Sequence, residues 1–135
     1  MVARSVMLFV AMLSGASMAH AAPPSGSPLQ RCLADAKPSE DGLQHVTGCY
    51  QAAYARIDHA LDAEYKALQA RMKEARVSAP SLAGGQQAWR LYRDKWCAFE
   101  GVGEADAQAH SSTVLMCRVE LTQAQLDRLR HAYQR

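Results

Sequence analysis

An uninterrupted amphipathic segment in the middle of the chain constrains the fold most strongly. From about His45 to Val77 the sequence has no proline and a single glycine, Gly48. Its apolar residues recur at steps of three and four: Val46, Cys49, Tyr50, Ala53, Tyr54, Ile57, Leu61, Tyr65, Leu68 and Met72. This spacing is typical of one face of an α-helix that is buried against other helices. We therefore expect a long helix over about residues 45–77, with pairs such as Asp62 and Lys66 on its outer face.

Two further helices are expected after this segment. Residues 78–81 (Ser-Ala-Pro-Ser) interrupt the pattern, so a second helix should begin there, with Ser78 or Ser81 as its N-cap, and end at about residue 99. A third helix is expected over about 111–133, with Ser111 or Ser112 as its N-cap. Its inward-facing residues are Val114, Cys117, Leu121, Leu126, Leu129 and Tyr133.

The remaining segments add one short element and no strands. Residues 29–36 have the composition of a short helix, which should end at Lys37 because Pro38 restricts the residue before it. No alternating pattern of useful length predicts a β-strand. The predicted fold class is all-α: an antiparallel bundle of three principal helices, over about 45–77, 81–99 and 111–133, with a short N-terminal helical segment and two disulfides.

The first residues have the pattern of a secretory signal peptide. Arg4 supplies a positive charge, an apolar run over residues 6–13 follows, and Ala19-His20-Ala21 is an A-x-A cleavage pattern. The apolar run is shorter than the roughly 20 residues that span a bilayer. The sequence therefore predicts a chain exported to the periplasm or secreted, with no membrane span. We expect a signal peptide over 1–21, a flexible leader over 22–31 and a single helical domain over 32–135.

The charge balance limits the class of partner. Fifteen Lys and Arg residues against thirteen Asp and Glu residues give a formal net charge of +2 over 135 residues. This is too small for a protein that binds nucleic acid mainly by electrostatic attraction. We therefore expect a protein partner and no nucleic acid, while the oligomeric state stays open.

The four cysteines predict two local disulfides. An even count in an exported chain indicates bridges formed in an oxidising compartment. If the second helix folds back on the first about Ala79, Cys97 lies opposite Leu61, and Cys49 lies about 18 Å further along. A disulfide needs Cα atoms within about 7 Å, so Cys49–Cys97 is disfavoured. The expected pairs are Cys32–Cys49 and Cys97–Cys117, and the spacings do not resemble the C-x₂₋₄-C pattern of a zinc site.

No pattern in the sequence predicts an enzyme. It has no G-x-S-x-G, no H-E-x-x-H, no phosphate-binding glycine loop and no C-x-x-C. His45 and Cys49 have the spacing of metal ligands on a helix, but a disulfide explains that cysteine better. We expect a non-catalytic protein without a metal or cofactor.

A second cluster lies on the predicted second helix. Gln86, Trp89, Arg93 and Cys97 step along one helix face. A tryptophan with an arginine one turn later suggests an anchor in the core with an ion pair at its edge, for which Asp58 and Asp62 of the first helix are the candidate partners. A binding hot spot built from the Trp, Arg and Tyr residues of this helix is the functional alternative. The disulfide cysteine on the same face favours the structural interpretation.

The connector between the second and third helices carries acids and no bases. Residues 101–109 contain Glu104 and Asp106, and Glu100 directly precedes them. The expected bridge between Cys97 and Cys117 would hold both ends of this connector, which reduces the entropy lost when it binds a partner. We take Glu100, Glu104, Asp106 and His110 as the candidate partner-binding residues; an ordinary solvated connector is the alternative.

The sequence also resembles a known family. The order of residues reads C…C-Y…D-x-x-L-(N/D)-x-x-Y-x-x-L…Q-x-x-W-x-x-x-R-D-x-x-C…C-x-x-x-L-T-x-x-x-x-x-x-L, which is similar to the exported helical domain of the LprI lysozyme inhibitor family. The residues that carry it are Cys49, Tyr50, Asp58, Leu61, Asp62, Tyr65, Leu68, Gln86, Trp89, Arg93, Asp94, Cys97, Cys117, Leu121, Thr122 and Leu129. The Q-x-x-W-x-x-x-R-D-x-x-C segment is the specific part. Asp62 and Gln125 depart from the family pattern, which usually has Asn and Arg there.

The resemblance implies a binding function. The first hypothesis is an exported protein that inhibits a lysozyme-type glycosidase, with the acidic connector steering it toward a basic enzyme surface. The alternative is a periplasmic immunity or envelope-stress protein that binds a toxin or a wall hydrolase.

Overall fold

Four α-helices and one short 3₁₀ turn account for the described chain. The computed structural model describes residues 26–78 and 80–132, and the expected signal peptide and residues 22–25 of the expected leader lie outside them. The helices are α1 (Pro28–Ala34), α2 (Glu40–Glu74), α3 (Pro80–Glu100) and α4 (Ala107–His131), with the 3₁₀ turn at Gly101–Gly103. No described residue lies in a strand, which confirms the all-α class. Helix α1 overlaps the short helix expected over 29–36, and it also includes residues 28–31, which the expected domain boundaries placed in the leader.

Helix α2 begins earlier than expected. It starts at Glu40 and not near residue 45, because the Ser39 hydroxyl caps it by accepting a hydrogen bond from the Gly42 N–H at 3.1 Å. Gly42 is buried against the preceding turn: a Cβ placed on it would lie 1.6 Å from the Lys37 carbonyl oxygen. The glycine is therefore required for the close approach of the α1–α2 link to the helix.

Helix α4 also begins earlier, and its cap is a different residue. The Asp106 carboxylate accepts hydrogen bonds from the Gln108 and Ala109 N–H groups at 2.8 and 2.9 Å. The expected caps Ser111 and Ser112 lie inside the helix, where Ser111 donates to the Ala107 carbonyl at 2.9 Å. The end expected near Tyr133 lies outside the described residues.

Helix α3 begins at Pro80, so the expected cap Ser81 lies within its first turn. Proline suits this position because the first helical N–H groups have no partner inside the helix. Gly84 and Gly85 are both helical, and a Cβ on either would meet no atom within 4 Å. The helix therefore continues through both glycines without interruption.

The three long helices run up, down and up, and α4 packs directly against both others. Leu61 and Leu68 of α2 are buried with Leu126 and Leu129 of α4. Partly buried side chains cover this cluster: Ile57, Ala60, Tyr65, Met72, Leu82 and Trp89. Burial of each leucine contributes roughly 1.5–3 kcal/mol. None of the described helices is long and apolar enough to cross a membrane.

Helices α2 and α3 are further apart than a close-packed hairpin. In the described residues no Cα of α2 lies within 8 Å of a Cα of α3. Long side chains, described below, bridge the two helices instead. The expected antiparallel direction is retained, but the register differs by about two turns, since Arg93, expected opposite Tyr65, reaches Asp58.

The two disulfides join the pairs expected from the helix geometry. Cys32–Cys49 connects α1 to α2 with a Cα–Cα distance of 5.8 Å, and Cys97–Cys117 connects α3 to α4 at 5.5 Å. Each closes a loop of about twenty residues, which stabilises the fold by about 3 kcal/mol through the loss of loop-closure entropy in the unfolded chain. The second bridge fixes the α3 end of the connector against α4.

Candidate partner-binding surface

Arg93 is the centre of a polar cluster that joins the three long helices. Its side chain is only 4% exposed. Its Nη1 donates to Asp58 of α2 at 2.8 Å and to Thr122 of α4 at 3.2 Å, and its Nε donates to Asp94 at 3.1 Å. Burial lowers the pKa of Arg93, but the hydrogen bonds to Asp94 and Asp58 outweigh it and leave the pKa raised. The charge of Arg93 is thus balanced by carboxylates within the fold.

Aromatic rings enclose the Arg93 guanidinium. Its Cζ lies 5.3 Å from the ring centroid of Tyr54 and 5.2 Å from that of Trp89, within the range of cation–π attraction. The Arg118 guanidinium lies 5.7 Å from the Tyr54 ring. Burial raises the pKa of Tyr54 above its usual value, and the Arg93 charge opposes this rise. Arg93 therefore holds the helices together from a buried position, and Trp89 packs between it and the leucine cluster.

A second arginine bridges α2 and α3 nearer the surface. Arg90 pairs with Asp62 and lies 3.4 Å from Asp58. The two aspartates named as partners of Arg93 therefore serve both arginines: Asp58 contacts both, and Asp62 contacts Arg90. Arg118 Nε lies 3.6 Å from Asp94, which extends the cluster to α4.

The other motif residues line the inner side of the bundle. Leu61 is fully buried and Tyr65 packs against the leucine cluster. Gln86 is 6% exposed, and its Oε1 accepts from Gln125 Nε2 at 3.0 Å. Gln125, which stands where the family usually has Arg, thus makes a direct contact between α4 and α3. The Q-x-x-W-x-x-x-R-D-x-x-C segment encodes the face of α3 that meets the other two helices.

The four candidate partner-binding residues each have a local hydrogen bond. Glu100, the last residue of α3, accepts from the Trp96 indole N–H at 2.6 Å. Glu104 accepts from Thr113 at 3.1 Å, and Asp106 caps α4. His110 Nδ1 lies 2.7 Å from the Gly101 carbonyl oxygen.

The connector is therefore shorter and more ordered than expected. The 3₁₀ turn occupies its start, α4 begins at Ala107, and His110 belongs to that helix. Gly101 is buried, and a Cβ on it would lie 2.8 Å from the His110 ring, so a side chain there would displace the connector. The carboxylates of Glu104 and Asp106 remain exposed on this ordered connector.

One group of potential metal ligands occurs in the described residues, and it is a disulfide. Ligand atoms of Cys32, His45 and Cys49 lie within 4.8 Å of one another. Both sulfurs are bonded to each other, whereas a metal requires thiolates. His45 Nε2 lies 2.9 Å from the Cys32 carbonyl oxygen, so this histidine contacts the α1 backbone beside the bridge.

Sequence reasoning missed an exposed apolar surface. This surface lies on the outer side of α3. Leu91, Tyr92, Trp96 and Phe99 are 62, 52, 43 and 65% exposed. The Tyr92 and Trp96 rings stack with centroids 6.2 Å apart, and Trp96 lies 5.7 Å from Phe99. We call these four residues the α3 aromatic face.

The sequence did contain the pattern of this face. Once Gln86, Trp89, Arg93 and Cys97 are assigned to the inner side of α3, the residues between them fall on the outer side at the same spacing. A binding hot spot on this helix was the alternative considered from the sequence. The Trp, Arg and Tyr residues considered for that hot spot lie on two sides of α3. Trp89 and Arg93 face inward, while Tyr92 and Trp96 face outward.

A comparison with known protein families identifies the family of this chain. The chain matches the family described as Lysozyme inhibitor LprI over residues 34–129. The chain belongs to the LprI lysozyme inhibitor family. No characterised protein and no solved structure gives a significant match.

The matched range covers most of the helical bundle described above. It includes α2, α3, nearly all of α4, the Arg93 cluster and the connector. Of the four disulfide cysteines only Cys32 lies before it. In this LprI-family chain, both candidate surfaces, the connector and the α3 aromatic face, lie inside the family match.

Proposed function

We propose that this protein is an exported, non-catalytic binding protein that inhibits a lysozyme-type glycosidase. The family match over residues 34–129 carries the proposal, because it covers α2, α3, nearly all of α4 and both candidate surfaces. Two disulfides fit a chain that functions in an oxidising compartment outside the cytoplasm. The partner is then a protein, and the activity is loss of the partner's own hydrolysis.

The internal charges support binding over catalysis. Arg93, the buried cation, is neutralised by Asp58 and Asp94 and holds three helices together. A general acid or base has to reach a substrate, whereas Arg93 is buried and its aspartate partners are already paired with arginines. Recognition is therefore assigned to exposed surfaces.

The connector supplies one part of the contact. Its exposed carboxylates at Glu104 and Asp106 lie on a segment fixed by the Cys97–Cys117 bridge, by the α4 cap and by His110. A prearranged acidic segment increases the association rate with a cationic partner and loses little entropy on binding.

A hydrolysis assay tests the proposal. Purified protein with both disulfides formed is added at micromolar concentration to lysozymes of the c, g and i types acting on cell walls. We expect the hydrolysis rate of at least one type to fall in proportion to bound protein. Undiminished hydrolysis by all three types would contradict the proposed function.

A charge variant tests the role of the connector. Glu104→Gln removes one negative charge and retains an oxygen that accepts from Thr113. We expect slower association at low salt and little difference at high salt, because screening suppresses steering. The matched control is Glu74→Gln, an exposed acid at the far end of α2.

A further inference from the structure

The α3 aromatic face has the composition of an interface centre and not of an ordinary solvated helix. A shallow groove on it is lined by Ala88, Leu91, Tyr92, Lys95, Trp96 and Phe99. Tyrosine and tryptophan are enriched among the residues that contribute most to protein–protein binding. Val102, on the adjoining turn, is 73% exposed and continues the apolar surface toward the connector.

This face is held rigid by its surroundings. Cys97 directly follows Trp96 and is bonded to Cys117 of α4. The Trp96 indole donates to Glu100 and stacks on the Tyr92 ring, and the Phe99 ring lies tilted against its other side, so the three rings support one another. A prearranged set of rings on a helix loses little side-chain entropy on binding.

Lys95 gives the face a charge that identifies the chemistry of its partner. The other cationic side chains near it on α3, Arg90 and Arg93, are paired with aspartates. Within residues 26–78 and 80–132 no carboxylate oxygen lies within 4 Å of the Lys95 ammonium, and the side chain is exposed at the middle of the face. The face is thus an exposed apolar surface on the outer side of α3 with one unpaired positive charge.

A glycosidase cleft has the complementary properties. Its two catalytic Asp or Glu residues flank the scissile bond within a concave site, and such sites are lined mainly by apolar and aromatic side chains. We propose that the α3 aromatic face, with Lys95 directed at the catalytic carboxylates, covers the substrate cleft of the inhibited glycosidase. This inference rests on the proposed function and assigns its contact surface.

A second copy of this chain fits the face less well. A two-fold interface places the same patch on both subunits, so residues near its middle meet their own copies. Lys95 lies midway between Leu91 and Phe99 in sequence, and two unpaired ammonium groups would then face each other across an apolar contact. Like charges in that position oppose association.

The α3 aromatic face is large enough for only part of an interface, so the connector has to supply the rest. Three aromatic side chains that bury about 150–250 Å² each when covered, here roughly half exposed, offer on the order of 300 Å². Leu91 and Val102 extend the apolar patch, but a standard interface needs about 800 Å² per partner. The exposed connector beside it, with Glu104 and Asp106, supplies the polar rim.

Three variants test the assignment in the inhibition assay. Phe99→Ala and Trp96→Ala remove exposed rings, and Lys95→Glu reverses the charge; none of them alters a buried residue. We expect each to raise the inhibition constant at least tenfold. Val77→Ala is the matched control, because Val77 is a 44% exposed apolar residue beyond the end of α2.

The mode of inhibition gives a second measurement. Occupation of the cleft predicts competitive kinetics, in which the KM for a soluble N-acetylglucosamine oligomer rises and kcat is unchanged. Inhibition that is noncompetitive, or that is equally strong in all three variants, would overturn the inference while leaving the proposed function intact. Absence of inhibition by the unaltered protein would overturn both.

Light scattering tests whether a second copy of this chain, and not a glycosidase, occupies the α3 aromatic face. The cleft assignment expects the unaltered protein and Phe99→Ala to have the same mass in solution. A dimer that dissociates on Phe99→Ala would assign the face to a second copy and overturn the inference.

Discussion

At the scale of single residues, Arg93 has more partners than any other side chain described here. It contacts Asp58, Asp94 and Thr122 and lies against the rings of Tyr54 and Trp89. A planar guanidinium can satisfy these partners together because its donors point in different directions. A lysine ammonium at the same position could not reach all of them.

Arg93→Lys should therefore lower the free energy of unfolding by about 2 kcal/mol. Arg90→Lys is the control, since the Arg90 side chain is 31% exposed and its pairs lie nearer the solvent. We expect its cost to stay below about 1 kcal/mol. Denaturant unfolding followed by circular dichroism measures both, and equal losses would contradict the central role of Arg93.

Arg76 is strained at the end of α2. Its φ of 55° is in the left-handed region, where a Cβ is unfavourable. The Arg76 N–H donates to the Lys73 carbonyl and the Val77 N–H to the Met72 carbonyl, which is the Schellman pattern with Arg where glycine is usual.

Arg76→Gly should raise the free energy of unfolding by about 1 kcal/mol, because glycine adopts this conformation without the Cβ penalty. Arg76→Ala retains the Cβ and should give no comparable gain. The midpoint of urea unfolding compares the two variants. A gain of similar size from alanine would show that loss of the arginine charge, and not backbone strain, is responsible.

At the scale of the helices, α3 contains two glycines that its environment does not require. Gly84→Ala and Gly85→Ala should each raise the free energy of unfolding by about 0.5–1 kcal/mol, since alanine is the better helix former and each new Cβ meets open space. Gly42→Ala is the contrasting variant and should be destabilising, because its Cβ would overlap the Lys37 carbonyl. Thermal unfolding measures the three changes; a loss at Gly84 or Gly85 would contradict this account.

The helices themselves were largely predictable, while their ends and outer faces were less so. Apolar spacing located the three long helices and the helix geometry gave the cysteine pairs, because both depend on local periodicity. Ser39 and Asp106 were missed as caps, since several capping residues lie close together at each start and the sequence alone does not rank them. The α3 aromatic face was missed because both sides of that helix carry aromatic residues, and only tertiary packing decides which side is buried.

At the scale of the whole molecule, the two disulfides stabilise similar loops but hold different surfaces. Their sequence separations are 17 and 20 residues, so removal of either should lower the free energy of unfolding by about 3 kcal/mol. Only Cys97–Cys117 fixes the aromatic face and the connector. The double variant Cys97→Ser/Cys117→Ser should therefore weaken inhibition, whereas Cys32→Ser/Cys49→Ser should retain it in buffer where both variants are folded. Equal inhibition by the two would show that the bridge contributes stability alone.

The order of the helices and of the cysteines along the chain affects how the two disulfides form as the chain emerges. Leu61 and Leu68 are covered by Leu126 and Leu129, so a chain that emerges N-terminus first leaves the apolar side of α2 uncovered until α4 has emerged. The cysteines pair in their order along the chain, Cys32 with Cys49 and then Cys97 with Cys117. Oxidation of each pair as it emerges gives the native bonds directly, because the first pair is already consumed when Cys97 becomes available. Refolding the reduced, full-length chain has no such order and exposes all four thiols to exchange at once.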